Sequence, residues 1–342
     1  MELHIEKPIN MVFDEAAHTY TNADTGDIFT SATTLIGNYK DKFNTRYWSM
    51  YTGLKDAGIP VRHDKSELII TVNRVPENIN TLYEMPLYSR LARMTRDKWQ
   101  HKTDVANARG NKIHNYLEDS INESRGDKQA KHNSKINPLS VKGLKSSELV
   151  VFETKHDLDK TDLEKQYPVI YNRLLMYIEN GCTIIAEKRL YISKYLIAGT
   201  IDVLVLKGKL FWIVDWKTNK DEMKFESGYY KKEEIDGVWV KSNKFIKRDD
   251  RWAIPLDKLQ KCKGITYSLQ LSLYAYMMEL WGYTLAPNGL EIFHIRPRMK
   301  PQLIKIRYYK EDIKNMLEHH RYSKGIKNVN DTPDIPTGFG IR

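Results

Sequence analysis

Two apolar runs separated by three polar residues restrict the fold of this chain more than any other stretch. Leu196 to Leu206 is nearly unbroken in aliphatic and β-branched residues. Lys207, Gly208 and Lys209 interrupt it, and Leu210 to Val214 resumes it before the polar sequence Asp215-Trp216-Lys217-Thr218. Two such runs joined by a short Gly-containing loop predict a β-hairpin. Ile201, Val203 and Val205 occupy one side of the first run, Leu204 and Leu206 the other. Both faces are apolar, so the hairpin belongs at the buried centre of a sheet.

Charges inside such a hairpin are informative. Pairing of Leu206 with Leu210 or Phe211 sets Asp202 opposite Val214 or Asp215, at a Cβ separation of roughly 4.5–5.5 Å. Asp215 and Lys217 are two residues apart and share a face of an extended strand. Two carboxylates and one ammonium thus converge at one end of the hairpin, which is costly unless they pair or hold a metal ion. A strand-end salt bridge of Lys217 with Asp215 or Asp202 is one reading. The added Gly199-x-x-Asp202 at hairpin distance favours a metal site.

The 342 residues suffice for one large domain or two modest ones. A net charge of +10 suits a polyanionic partner, and equally an ordinary basic protein. Cys182 and Cys262 form no C-x-x-C pattern, which disfavours a disulfide framework, a cysteine-based zinc site and a four-cysteine iron–sulfur cluster. That usage fits a reducing cytosol. The N-terminal MELHIEKPINMVFDE has no apolar core and no stretch approaches 18 apolar residues. Neither secretion nor membrane insertion is expected, and the expected location is cytoplasmic, the host cytoplasm for a phage-encoded chain.

Residues 10–36 read as a small β-element with a turn at Asn22 to Asp27. Residues 38–100 are mainly helical in pattern, with a strand-like interruption at Leu68 to Val72. Trp48, Tyr51, Tyr83, Tyr88 and Trp99 stand there among basic residues, either to stack bases or to pack a helical core. Asp104 to Ile121 has helical spacing and carries His114, which either points at a site or sits satisfied in a core. Residues 122–148 form a polar insertion. Asp162 to Asn180 is a helix ended by Gly181, and Thr183 to Tyr191 a strand carrying Glu187. Residues 221–263 are charged, with Trp239, Phe245 and Trp252 among lysines: a substrate-side arm or a long surface insertion. Thr266 to Trp281 is a strong helix on which Gln270 and Tyr274 stand one turn apart. Leu290 to Ile295 and Leu303 to Tyr308 read as strands, Glu311 to Arg321 as a helix, and residues 326–342 as an irregular tail. No internal repeat, P-loop, dinucleotide fingerprint or nucleophile elbow is present.

In order, His114, Glu187, Gly199-x-x-Asp202, Asp215-x-Lys217 and Gln270-x-x-x-Tyr274 resemble the PD-(D/E)xK nuclease superfamily. Within it the set is similar to the RecB-like exonuclease branch, as is the stretch YSLQLSLYAYMME; the TSATTLI segment matches loosely. The pattern spans residues 110–280. The missing cysteines separate it from the iron–sulfur members and leave the cluster-free phage, bacterial and mitochondrial genome-maintenance types closer. The resemblance implies an α/β fold with a restriction-endonuclease-like core: a mixed central sheet flanked by helices, with a mainly helical N-terminal region. Residues 1–100 would pack on a nuclease core at 101–325.

The resemblance further implies a DNA exonuclease using Mg²⁺ or Mn²⁺ on single-stranded ends in replication, recombination or repair. A helicase, recombinase or single-strand-binding protein is the implied protein partner. Asp202, Asp215 and the Trp216 carbonyl would ligate a metal, and His114 would complete a second position. Lys217 would orient or deprotonate the attacking water. Glu187 would ligate through water or hold Lys217. Gln270 and Tyr274 would brace the site or contact the scissile strand, with helix-core packing as their competing role. A structure-specific endonuclease and a non-catalytic DNA-binding module are the alternatives.

Overall fold

A computed structural model describes residues 9–14, 19–64, 66–123, 135–136, 151–159, 161–235 and 237–326. The chain divides into two compact units, Met1–Lys40 with His114–Arg342, and Asp41–Ile113. The first unit opens with β1 (Ile9–Asp14), β2 (Thr19–Asn22), β3 (Ile28–Ser31) and α1 (Ala32–Gly37). The second holds α2 (Thr45–Asp56), β4 (Val61–His63), β5 (Ile69–Val72), β6 (Val75–Asn78), α3 (Ile79–Glu84) and the start of α4 (Pro86–Glu123). From His114 onward α4 belongs to the first unit. There follow β7 (Lys135–Ile136), β8 (Val151–Phe152), α5 (Lys155–Asp159), α6 (Leu163–Gln166), α7 (Pro168–Glu179) and β9 (Thr183–Ile192). The chain continues through β10 (Ile197–Lys207), β11 (Leu210–Lys217), β12 (Gly228–Ile235) and β13 (Val238–Lys247). It closes with α8 (Lys263–Leu280), β14 (Thr284–His294), β15 (Gln302–Lys305) and α9 (Lys310–Lys324).

The fold of the first unit is mixed α/β, with a ten-stranded sheet flanked by helices. Its order is β15-β14-β11-β10-β3-β2-β1-β7, with β9 also on β10 and β8 on β9. β10 pairs antiparallel with β11 and β9 and parallel with β3; β11 pairs parallel with β14. Ile201, Val203, Leu204, Val205, Ile213 and Val214 are fully buried, as expected for central strands. One face is covered by α8 and α9, whose Leu269, Leu273, Ile313 and Leu317 share a core with Leu204, Leu206 and Ile213. On α7, the Arg173 guanidinium pairs with the buried Glu291 carboxylate of β14, and the Tyr177 ring lies 5.7 Å from that of Trp212 in β11.

β10 has an unusual edge. β9 lines one side of it along its length, while the other side is shared by β3 at Ile197 and Ala198 and by β11 from Val203 onward. Between them, residues 199–202 have no strand partner on that edge among the described residues. The edge strands leave a slot there.

The second unit packs Tyr47, Met50, Leu54, Ile70, Val72, Ile79 and Leu82 into its own core. The strand-like interruption at Leu68 to Val72 is part of a three-stranded sheet, β4-β5-β6.

Several expectations change. Residues 10–36 are not a separate β-element: β1 to β3 extend the main sheet, and the stretch after Ser31 is helical. The Thr34 N–H donates to Ser31 Oγ at 3.1 Å, a cap that overrides the β preference of Thr33 and Thr34. The helix expected from Asp104 begins at Pro86, a residue suited to a first turn because it has no N–H to leave unpaired. The same property of Pro168 divides the helix expected over 162–180 into α6 and α7. The insertion near 122–148 lies largely, and the tail after Ile326 wholly, outside the described residues. Among the described residues no helix is long and apolar enough to cross a membrane.

Candidate functional site

The central hairpin takes the register in which Leu206 pairs with Phe211, so Asp202 stands across from Asp215. The ladder stops one rung short of them, at Val203 and Val214. Beyond the last rung the Trp216 N–H donates to Asp202 Oδ2 at 2.9 Å. On the other edge of β10 the register puts Glu187 opposite Asp202, and that rung too is absent from the ladder. Glu187 has a φ of 50°, a left-handed conformation that costs a non-glycine residue about 1–3 kcal/mol and is found disproportionately at functional sites. Glu187, Asp202 and Asp215 therefore form one row across β9, β10 and β11. α8 reaches the end of this row, where the Tyr267 ring lies beside the Lys217 ammonium.

Asp215 is 1% exposed, and Lys217 Nζ approaches its Oδ2 at 2.7 Å. Burial raises the Asp215 carboxyl well above the usual carboxylate range, opposed by the Lys217 ammonium and reinforced by the charge of Asp202. For Lys217, burial pulls the ammonium down, but Asp215 and Asp202 together outweigh it and hold the group protonated. Of the two acids offered for a strand-end ion pair, Asp215 is the one within ion-pair distance of Lys217. The pair leaves an imbalance of two acids around one base, and Asp215 Oδ2 receives no hydrogen bond of good geometry.

His114, in the part of α4 within the first unit, places Nδ1 3.9 Å from Asp202 Oδ2. The helix is seated there by fully buried Leu117 and by the Tyr116 ring, 5.8 Å from that of Tyr167. On α8, Gln270 Nε2 donates to the Tyr274 hydroxyl at 3.3 Å. Tyr274 is buried and its ring packs directly over Gly199: a Cβ added at Gly199 would lie 2.5 Å from Tyr274 Cε1. That contact accounts for the glycine in Gly199-x-x-Asp202. Beside it the Tyr20 and Thr200 hydroxyls are 3.0 Å apart, so β2 also reaches the slot.

Three neighbours of Lys217 escape the sequence reading. Its ammonium lies 4.9 Å from the centroid of Tyr267, whose hydroxyl is 3.5 Å from Asn219 Oδ1. The Asn219 carbonyl is 2.9 Å from Nε2 of His294, a buried residue that pairs with Lys217 across β11 and β14. Tyr267 stands three residues before Gln270, a spacing that puts both on one helix face and could have flagged it. Asn219 and His294 carry no comparable signal.

Among the described residues no group of three or more His, Cys, Asp or Glu side chains is gathered closely enough to enclose an ion. The donor set still fits one kind of metal. Mg²⁺ binds through one or two carboxylates and keeps several waters, and Asp202 and Asp215 stand opposite each other across the hairpin, close enough for the charge of one to act on the other. The Trp216 N–H orients Asp202, as expected of a group that supports a ligand. Comparison with protein-family models, with curated proteins and with solved structures finds no match.

Proposed function

We propose that this chain is a Mg²⁺- or Mn²⁺-dependent DNA exonuclease of the PD-(D/E)xK superfamily and RecB-like branch. Its sheet would be the restriction-endonuclease-like core, and its substrate a DNA strand presented at a single-stranded end during replication, recombination or repair. The observation that carries this reading is the opposition of Asp202 and Asp215 at the end of the buried hairpin, with the Lys217 ammonium 2.7 Å from Asp215 Oδ2. The side chains of Asp202 and Lys217 retain 15% exposure, enough for a substrate to reach them.

Asp202 and Asp215 would hold the cation, with His114 beside Asp202 as the next donor. A cation bound there neutralises the phosphodiester, acidifies a bound water and stabilises the leaving oxygen. Lys217 supplies a positive point charge to the developing phosphorane oxygens. Once Asp215 is engaged elsewhere, burial dominates at Lys217 and draws its ammonium down toward proton exchange with the attacking water. Tyr274 and Gln270 hold the backbone at Gly199 in place, and Glu187, opposite Asp202 on the neighbouring strand, would accept a hydrogen bond from a water at the site.

The test is incubation with end-labelled linear DNA and closed circular DNA, with and without Mg²⁺. Mononucleotides or short products from linear DNA alone, lost in Asp215→Ala, agree with the proposal. Cutting of circles would make the protein an endonuclease, and binding without cutting would make it a module on a nuclease scaffold.

A further inference from the structure

Between Lys217 and α8 the chain forms a structure of its own outside the main sheet. β12 and β13 form a two-stranded ribbon on their own, from Gly228↔Lys247 to Ile235↔Val238, with a register shift after Tyr230. Its root is clamped. Ser227 is buried, its N–H and Oγ both reach Gln260 Oε1, at 3.1 and 2.7 Å, and the Arg248 N–H donates to the Ser227 carbonyl at 2.9 Å. The Gly264 N–H donates to the Lys224 carbonyl at 3.0 Å, and a Cβ at Gly264 would lie 2.5 Å from that oxygen and 2.7 Å from the Phe225 ring. The ribbon is thereby fastened to the first turn of α8, the helix that carries Tyr267, Gln270 and Tyr274.

We infer that the root half of this ribbon is a docking platform for single-stranded DNA, feeding the strand toward the Asp202–Asp215 slot; the inference rests on the nuclease reading. Isolated two-stranded ribbons are marginal in water, and Lys231 to Ile235 are all exposed. The chemistry of the surface selects the occupant. Tyr229 is 47% exposed with the Arg248 guanidinium 4.7 Å from its ring centroid, a flat cationic stack of the kind on which bases pack. Lys231, Lys232 and Lys244 are exposed and have no carboxylate in ion-pair range among the described residues. Glu233 and Glu234 occupy the tip half, whereas the root-end carboxylates Glu222 and Glu226 are paired with Lys224 and Lys247 at 2.7 and 2.6 Å, so repulsion of a phosphate backbone is strongest at the tip.

The experiment measures fluorescence anisotropy of a labelled oligodeoxythymidine in EDTA, so that nothing is cleaved, across a salt series. Tyr229→Ala with Arg248→Ala weakens binding about tenfold or more, from lost stacking. Lys231→Gln with Lys232→Gln weakens it and reduces the log–log salt slope by about 1.4, or about 0.7 per phosphate contact. Glu233→Gln with Glu234→Gln tightens binding, a gain that misfolding cannot imitate. Unchanged affinity in all three overturns the inference, and if the first two fail to fold, unchanged affinity in the third does so alone. Equal binding of a duplex of the same length, with equal losses, overturns the single-strand assignment. Cleavage in Mg²⁺ with ribbon variants that bind like the parent sinks the ribbon only; ribbon-dependent binding with no cleavage sinks the nuclease reading only.

Discussion

Two antiparallel hairpins follow each other in this chain and could hardly be treated more differently by the fold. β10–β11 is covered on both faces, and its strand residues from Val203 to Leu206 and from Phe211 to Trp216 are buried except for Trp212. β12–β13 stands in water, with glutamates, lysines and tyrosines exposed along it. In the first, a few ionisable groups sit where desolvation is severe, so each is forced into a relation with the others. In the second, many charges each cost little, and only their grouping with aromatics says anything. A charge is therefore worth reading in proportion to the burial around it.

The sharpest way to break this contrast is at the buried acids. Asp215→Ala and Lys217→Ala are each expected to reduce Mg²⁺-dependent cleavage on the order of a thousandfold or more, measured by single-turnover release of end label. Next comes stability. Lys217→Met leaves Asp215 buried without its counter-charge and is expected to cost about 3–5 kcal/mol at pH 8 in urea titrations. Asp215→Asn in the same chain should return much of that loss, a non-additivity that a mere packing role for Lys217 would not produce.

A third effect tests burial of an ammonium with no carboxylate in ion-pair range among the described residues. Lys188, on β9 opposite Ile201, is 2% exposed and its ammonium lies 5.6 Å from the Trp281 ring centroid. Burial lowers its pKa from 10.5 to about 7. The unfolded chain keeps that proton up to about pH 10.5, so stability climbs as pH rises from about 7 toward 10.5 and the penalty is full below 7. Lys188→Met is accordingly expected to stabilise the protein by a few kcal/mol at pH 6, with an advantage that shrinks by pH 9. Smaller again is Gly199→Ala, expected to cost about 1–3 kcal/mol through its clash with the Tyr274 ring. Tyr274→Ala should make that substitution nearly free. The smallest effect belongs to the ribbon: Tyr229→Ala should move the urea midpoint by no more than about 0.5 kcal/mol, because its ring faces water.

The central hairpin was legible because its signal is local: two apolar runs, a short loop, and a register that follows from the loop. The convergence of Asp202, Asp215 and Lys217 came with it. What surrounds them was not legible, since it depends on contacts distant in sequence. Nothing near Gly199 says that Tyr274 will press against it, and nothing in the N-terminal strands says that β3 will share an edge of β10 with β11. Residues 86–100 read as helical in pattern, but their continuity with the Asp104–Ile121 helix was not legible, because Arg90, Arg93, Arg96 and Lys98 dilute the apolar period while helices tolerate such residues well. The ribbon was read only as a charged, turn-rich stretch, since a strand exposed on both faces lacks the alternation that announces one.

The claim beneath all of this is that the opposed acids hold a divalent cation, and titration calorimetry of the intact chain with Mn²⁺, in two buffers of different ionisation enthalpy, tests it most directly. Near neutral pH the account predicts saturable binding accompanied by proton release, because a carboxyl raised by burial must ionise to take the metal, with both the binding and the release lost in Asp215→Asn. Mn²⁺ binding that is identical in the parent and in Asp215→Asn, or no binding in either, would contradict it.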